Sequence, residues 1–292
     1  MMGFKKHFPA FVFCISTAAS LVLMQVMVKS SSSALSALLT YGISTVFFVC
    51  TQIKRSRVIL EAMARIPSKF VAMNLASALT LVLAFESLKF VSVISYVVVF
   101  FGSMPAMSHL VQRFFFRKPG RDRSMSAYAL MFASVVSALA IEIQNGSDSA
   151  YWVAAVFLVS LFAVFYMNFS HEVQVSGKMT PGDIMATRFL GTILVCVALV
   201  YLEGGGAVEL SGKLFFQAAL TSMTSVIIPL YFMQKSIDLI GPKATASWFP
   251  LIPVVAFGIS MMSDQMDGSI AVFLMMGFFV VAMMLFFFHD RG

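Results

Sequence analysis

Apolar runs of about twenty residues, separated by short polar breaks, recur along the whole 292-residue chain. They fall near 8–28, 34–53, 70–88, 92–112, 127–144, 151–170, 184–202, 214–234, 244–263 and 269–288. A helix needs roughly 20 mostly apolar residues to cross the hydrocarbon of a bilayer, so the pattern predicts ten transmembrane helices. The breaks carry turn residues, among them Pro119-Gly120, Asn145-Gly146, Gly204-Gly205-Gly206 and Gly241-Pro242. Thr180-Pro181-Gly182-Asp183 joins a capping hydroxyl, a first-turn proline and an acid near N3, which predicts the start of the seventh helix. The fold class is all-α integral membrane, and residues 1–292 read as a single membrane domain with no space for a second globular one.

Composition agrees, and the placement of charge adds an orientation. The chain is 60% hydrophobic and 11% charged, whereas soluble domains are about 45–50% apolar and about 25% charged. A net charge of +7 would suit a nucleic-acid partner, but the positions of the charges do not. With the N-terminus in the cytoplasm and the helices alternating, 17 of the 20 Lys and Arg fall on the cytoplasmic side. Lys29, Lys89 and Lys213 are the exceptions. A missed or invented helix would scramble the later loops, so both termini read as cytoplasmic. The basic clusters at 54–69 and 113–123 then read as orientation signals lying on anionic headgroups, and no nucleic acid is expected. Lys5 and Lys6 precede an apolar run of about 21 residues, longer than the roughly 7–15 of a signal-peptide core, so that run reads as a retained first helix. Cys14, Cys50 and Cys196 sit inside apolar runs and suggest neither a disulfide framework nor a metal site. No cofactor is expected.

Ten segments divide into 1–144 and 145–292, and an odd number per half gives the halves opposite orientation. Inverted repeats of this kind place a substrate site near the bilayer midplane, at the repeat interface. A trace of the repeat is visible. Phe85-Glu86-Ser87-Leu88-Lys89 leads into a small-residue-rich helix with Pro105 near its middle. Met233-Gln234-Lys235-Ser236 leads through Gly241-Pro242 into one with Pro253. Pro105 and Pro253 are candidate hinges.

These features together resemble the drug/metabolite transporter superfamily and the EamA-type permeases within it, across essentially the whole chain. Ser263-Asp264-Gln265 stands where many relatives have Gly-Glu after the ninth helix, and the fourth helix also lacks that pair. The resemblance implies two five-helix halves around a central cavity, opened alternately to each side. It implies small-metabolite substrates such as amino acids, amphiphilic cations, nucleotides and nucleotide sugars.

Polar side chains within a span should face protein or a water-filled cavity. On the fourth helix Ser92, Ser95, Val99, Gly102, Ala106, His109 and Arg113 share one face, and on the eighth Gln217, Thr221, Thr224, Ile228, Tyr231 and Lys235 share another. Such faces serve either a cavity wall or close helix packing. The candidate cavity residues are Gln25, Asn74, Ser95, Gly102, Tyr166, Gln217, Thr221, Thr224, Tyr231 and Trp248, with Trp248 alternatively in an interfacial aromatic belt. His109 and Glu86 are candidates for proton coupling, against the plainer readings of a hydrogen-bonded histidine and a surface acid; Glu142 is expected to face solvent. No Lys or Arg stands near the middle of a predicted segment. The expected substrate is therefore neutral, zwitterionic or cationic-amphiphilic, with a nucleotide sugar or other organic anion as the alternative.

Rival classes fare worse. An intramembrane enzyme would need a catalytic motif, and none of His-Glu-x-x-His, Gly-x-Ser-x-Gly, Cys-x-x-Cys or a phosphate loop is present. A channel would show a repeated pore motif or a ring of charge, and a seven-helix receptor would break the sidedness count. Secondary transport of a small-molecule substrate, with a coupling proton or exchanged solute, by a monomer or homodimer, is the reading that remains. A bacterial inner membrane is the first expectation for location, and a eukaryotic organelle membrane the second. Asn145-Gly146-Ser147 is a sequon on the predicted outer face.

Overall fold

The computed structural model describes residues 2–30, 33–116, 125–144, 150–202, 212–262 and 270–289, with the side chains at 2–4, 22–30, 33, 150, 260, 262, 271 and 289 excepted. All regular structure among the described residues is helical. The helices are α1 (Met2–Ser30), α2 (Ser33–Thr51), α3 (Ser56–Arg65), α4 (Pro67–Phe90), α5 (Val93–Phe114), α6 (Met125–Gln144), α7 (Ala150–Gly177), α8 (Pro181–Arg188), α9 (Leu190–Leu202), α10 (Gly212–Thr221), α11 (Ile228–Ala246), α12 (Leu251–Met262) and α13 (Ile270–His289). Seven spans among the described residues are long and apolar enough to cross a membrane. Their outer faces carry exposed apolar side chains, such as Val71, Phe132 and Leu194, which suit lipid rather than water. The protein is a membrane-embedded helical bundle.

The core lies where α4 packs on α7, α5 lies between α6 and α7, and α1 lies against α11. Phe13, Phe101 and Phe249 meet there, with ring centroids 4.9 Å (Phe13–Phe249) and 5.8 Å (Phe101–Phe249) apart.

Local sequence explains several helix ends. The Ser92 hydroxyl accepts from the Ser95 N–H, which caps α5. Glu142 of α6 accepts from both the Ser92 N–H (3.1 Å) and its hydroxyl (2.7 Å). Glu142 is therefore buried rather than solvent-facing, because the start of α5 supplies the donors that its carboxylate needs. At α8 the predicted start signal is realised as a reciprocal capping box: Asp183 N–H donates to the Thr180 hydroxyl, and the Asp183 carboxylate accepts from Thr180 N–H at 2.8 Å.

Three features depart from ten uninterrupted spans. The basic connector after α2 forms the short amphipathic α3, which buries Ile59 and Ala62 and leaves Leu60 exposed. Between α10 and α11 lies a π-helical turn, Ser222–Ile227. The third follows the expected break at Gly241-Pro242 and falls early in the ninth predicted segment. The backbone turns at Gly241, whose φ of +81° favours glycine, and the helix is interrupted again at 247–250 before α12 begins. Pro250 and Pro253 have no N–H to continue the ladder across that interruption. Pro105 thus lies well inside α5, whereas Pro253 occupies the first turn of α12, where a proline costs little.

Candidate functional site

A cavity of about 100 Å³ lies inside the bundle. Its wall takes Phe13, Thr17 and Ser20 from α1, Tyr41 from α2, Thr80 and Ala84 from α4, and Tyr96, Phe100, Phe101 and Met104 from α5. The other side contributes Ala163, Tyr166 and Met167 of α7, Arg188 at the end of α8, Ser225 and Val226 of the π turn, Leu230 and Met233 of α11, and Phe249. The lining is mostly apolar and aromatic. Three of its four serine and threonine hydroxyls donate to backbone carbonyls: Ser20 to Thr17, Thr80 to Ala76 and Ser225 to Ser20.

Arg188 is the exception. It is 2% exposed. Its Cζ stands 3.8 Å from the Tyr166 ring centroid and 5.5 Å from that of Phe189. Nε donates to the Ser77 hydroxyl at 3.3 Å, and Nη1 is buried without a hydrogen-bond partner. No carboxylate among the described residues forms an ion pair with it. The expectation that no Lys or Arg stands near the middle of a segment is thereby corrected. The seventh predicted segment starts as a helix at Pro181 rather than near 184, so Arg188 lies about two turns inside it instead of at its rim.

The surroundings hold this arginine in place. α8 ends at Arg188 and α9 begins at Leu190, so the ladder breaks beside it. The Gly191 N–H next to that break donates 3.0 Å to Asn74 Oδ1, while Asn74 Nδ2 donates to the Phe70 carbonyl. A Cβ on Gly191 would come within 3.0 Å of the Asn74 carbonyl oxygen, so glycine permits α4 and α9 to approach this closely. Ser77, the partner of Arg188, lies one turn further along α4 from Asn74. On the other side the Tyr166 hydroxyl donates to Gln234 (2.7 Å), and Gln234 donates to Gln174 (2.9 Å), a buried chain joining α7 to α11.

Of the ten candidate cavity residues, Tyr166 lines this cavity, and Asn74 supports the helix break beside Arg188. Ser95 and Gly102 lie on the face of α5 that packs against α6. The Ser95 hydroxyl accepts from Ser92, and a Cβ on Gly102 would run into Ser134 and Phe279. Thr221 is buried at the end of α10, Gln217 is half-buried on α10, and the Thr224 hydroxyl donates to the Leu220 carbonyl within the π turn. Tyr231 stacks near Phe48 with centroids 6.4 Å apart, and Trp248 Nε1 donates to His7 Nδ1 at 3.2 Å. The side chain of Gln25 lies outside the described residues. His109 is buried beside the Tyr128 ring, 6.1 Å between centroids, and Glu86 pairs with Lys89 at 3.2 Å.

Two physical causes explain why the wall differs from the predicted faces. A π turn carries more than 3.6 residues, so a stripe drawn at constant helical spacing slips as it passes through 222–227. Ser225, Val226, Leu230 and Met233 face the cavity instead of Thr224, Ile228 and Tyr231. On α5 the small and polar face allows the close approach of α6, which leaves the bulky face, Tyr96, Phe100 and Met104, to form the wall.

One polar cluster closes the bundle end that carries α3. The Arg55 guanidinium pairs with the fully buried Asp183 carboxylate at 2.9 Å, which holds the guanidinium proton more tightly than usual through hydrogen bonding and charge. Lys69 pairs with Glu172 at 3.1 Å close by.

No protein-family model matches the chain, and no curated protein matches it in sequence. A solved structure described in its own words only as "Crystal structure of protein" superposes with a TM-score of 0.66 at 15% identity, covering 98% of each chain. At that identity the likeness is one of fold.

Proposed function

We propose that the chain is a secondary transporter that moves a small metabolite across its membrane by alternating access. Ten spans serve as two inverted halves, 1–144 and 145–292, with both termini in the cytoplasm; α8–α9 form one span and α10–α11 another. The observation that carries the reading is the cavity inside a membrane bundle, walled by helices of both halves and holding a buried arginine with no counter-ion among the described residues. A structural cavity would more readily be filled with side chains, and an unpaired buried charge is too costly to be mere filler. The drug/metabolite transporter resemblance of the sequence points the same way.

The Arg55–Asp183 and Lys69–Glu172 pairs each join an element of the first half to one of the second, on the face predicted to be cytoplasmic. In this reading they keep that side of the path shut, and the interruptions at Gly241 and 247–250 give the ninth segment freedom to move. Pro105 lies beside the cavity wall on α5 as a second candidate hinge.

Among the substrate classes, an amino-acid-like zwitterion and an organic anion are both favoured over a cationic amphiphile, because a cation would meet Arg188 inside an apolar wall. The test is solute flux into proteoliposomes containing the full chain, across a panel of amino acids, organic anions and amphiphilic cations. Saturable uptake or counterflow of any one class supports transport; a panel without protein-dependent flux sinks it.

A further inference from the structure

Arg188 meets the cavity as a cation with one side already satisfied and one side open. A guanidinium stays protonated in proteins, so burial cannot neutralise it. Tyr166 covers one face of the guanidinium, Ser77 takes Nε, and Nη1 has no partner. Thr17, also on the wall, has a buried hydroxyl oxygen without a partner. The rest of the lining is aromatic or aliphatic, with its other serine and threonine hydroxyls directed at backbone carbonyls.

We infer that the solute held here is a monocarboxylate with an apolar body, its carboxylate on Arg188 Nη1 and its body against Phe101, Tyr96 and Met104. This rests on the transporter reading and names the substrate class of the same site. One buried cation balances one negative charge, whereas a phosphate dianion would leave an uncompensated charge in an apolar wall. A halide would pair with the arginine but leave the aromatic surface bare. A cavity of about 100 Å³ is on the order of what a benzene-sized group occupies. Charge-assisted pairing of a carboxylate with a guanidinium is among the stronger hydrogen-bonded contacts, and low surrounding dielectric strengthens it.

The test uses the purified full chain in detergent, with melting temperature and calorimetric titration as readouts. Benzoate and phenylacetate are compared with benzamide, benzylamine, inorganic phosphate and chloride. The two carboxylates should raise the melting temperature and bind, while the amide, amine and inorganic ions do neither. Arg188→Gln should lower benzoate affinity by at least about tenfold, the cost of losing one charge-assisted contact. Ala163→Phe fills the cavity, leaves the arginine untouched, and should abolish benzoate binding as well. It keeps the test decisive if Arg188→Gln does not fold.

The inference is overturned if benzamide or benzylamine stabilises as well as benzoate, if Arg188→Gln retains wild-type benzoate affinity, or if neither carboxylate binds. Flux in proteoliposomes separates the two readings. Transport of a neutral or cationic solute without carboxylate binding removes the monocarboxylate and leaves the transporter. Carboxylate binding without flux of any solute does the reverse.

Discussion

Along the seam between α5 and α6, buried polar groups meet partners on the facing helix: Ser92 meets Glu142, and the Ser95 hydroxyl reaches the Ala138 carbonyl. Around Arg188 the chain buries a full charge and leaves Nη1 without a partner. Both regions are polar insertions in an apolar bundle, yet they differ in what they need. At these two points the seam supplies both donor and acceptor, so its polarity contributes adhesion between helices. At Arg188 the wall leaves Nη1 unsatisfied, a cost to stability that a solute carboxylate would offset on the proposed reading.

Perturbing the two regions should separate them, and the largest effect belongs to the seam. Gly102→Leu drives a side chain into Ser134 and Phe279. It should cost about 3 kcal/mol, the upper end for overpacking, and appear as a marked fall in melting temperature with loss of monodisperse protein. Asp183→Ala removes the α8 cap and the Arg55 partner together. A loss of about 2 kcal/mol is expected, with the effect on the melting curve shrinking in Arg55→Ala/Asp183→Ala because no unpaired charge remains.

Arg188→Gln should invert the pattern. Removing an unpaired buried charge is expected to leave the melting temperature of the empty protein unchanged or raised, while solute flux falls by at least about tenfold. A large loss of stability instead would make Arg188 a structural cation like those of an ion-paired core. The smallest effect is expected from Gln217→Ala and Thr224→Ala. Neither residue lines the cavity, so solute affinity should stay within about twofold, or below roughly 0.5 kcal/mol. A larger change in flux assays would return the eighth-segment face to the transport path.

How far the chain was legible follows from which signals are local. Thr180-Pro181-Gly182-Asp183 announces a helix start, because its capping groups lie within one turn of each other, and the structure closes both bonds of that box. The apolar runs are legible for the same reason, since crossing length needs only consecutive residues. The amphipathic α3 is not legible in the sequence, where its basic residues read as an orientation signal. Beyond the π turn the stripe on the eighth segment slips off the cavity wall, a change of pitch that composition does not announce. Arg188 escaped because a segment boundary drawn three residues late placed it at the rim. Its short-range signal was present in that same start motif: a helix opening at Pro181 puts residue 188 two turns deep.

The sequence by itself determined the class of molecule. Long apolar spans commit the chain to a helical membrane bundle, because backbone hydrogen bonds must be closed within each span in lipid. Which faces of those helices touch one another and which enclose the cavity was decided only by the tertiary structure. Small residues on α5 suit both roles equally, and only the approach of α6 to that face turned Tyr96, Phe100 and Met104 toward the cavity. Likewise no local rule sets an arginine on a tyrosine ring. Tyr166 and Arg188 belong to different helices, brought to 3.8 Å by the packing of α7, α8 and α4 around a volume that side chains do not fill.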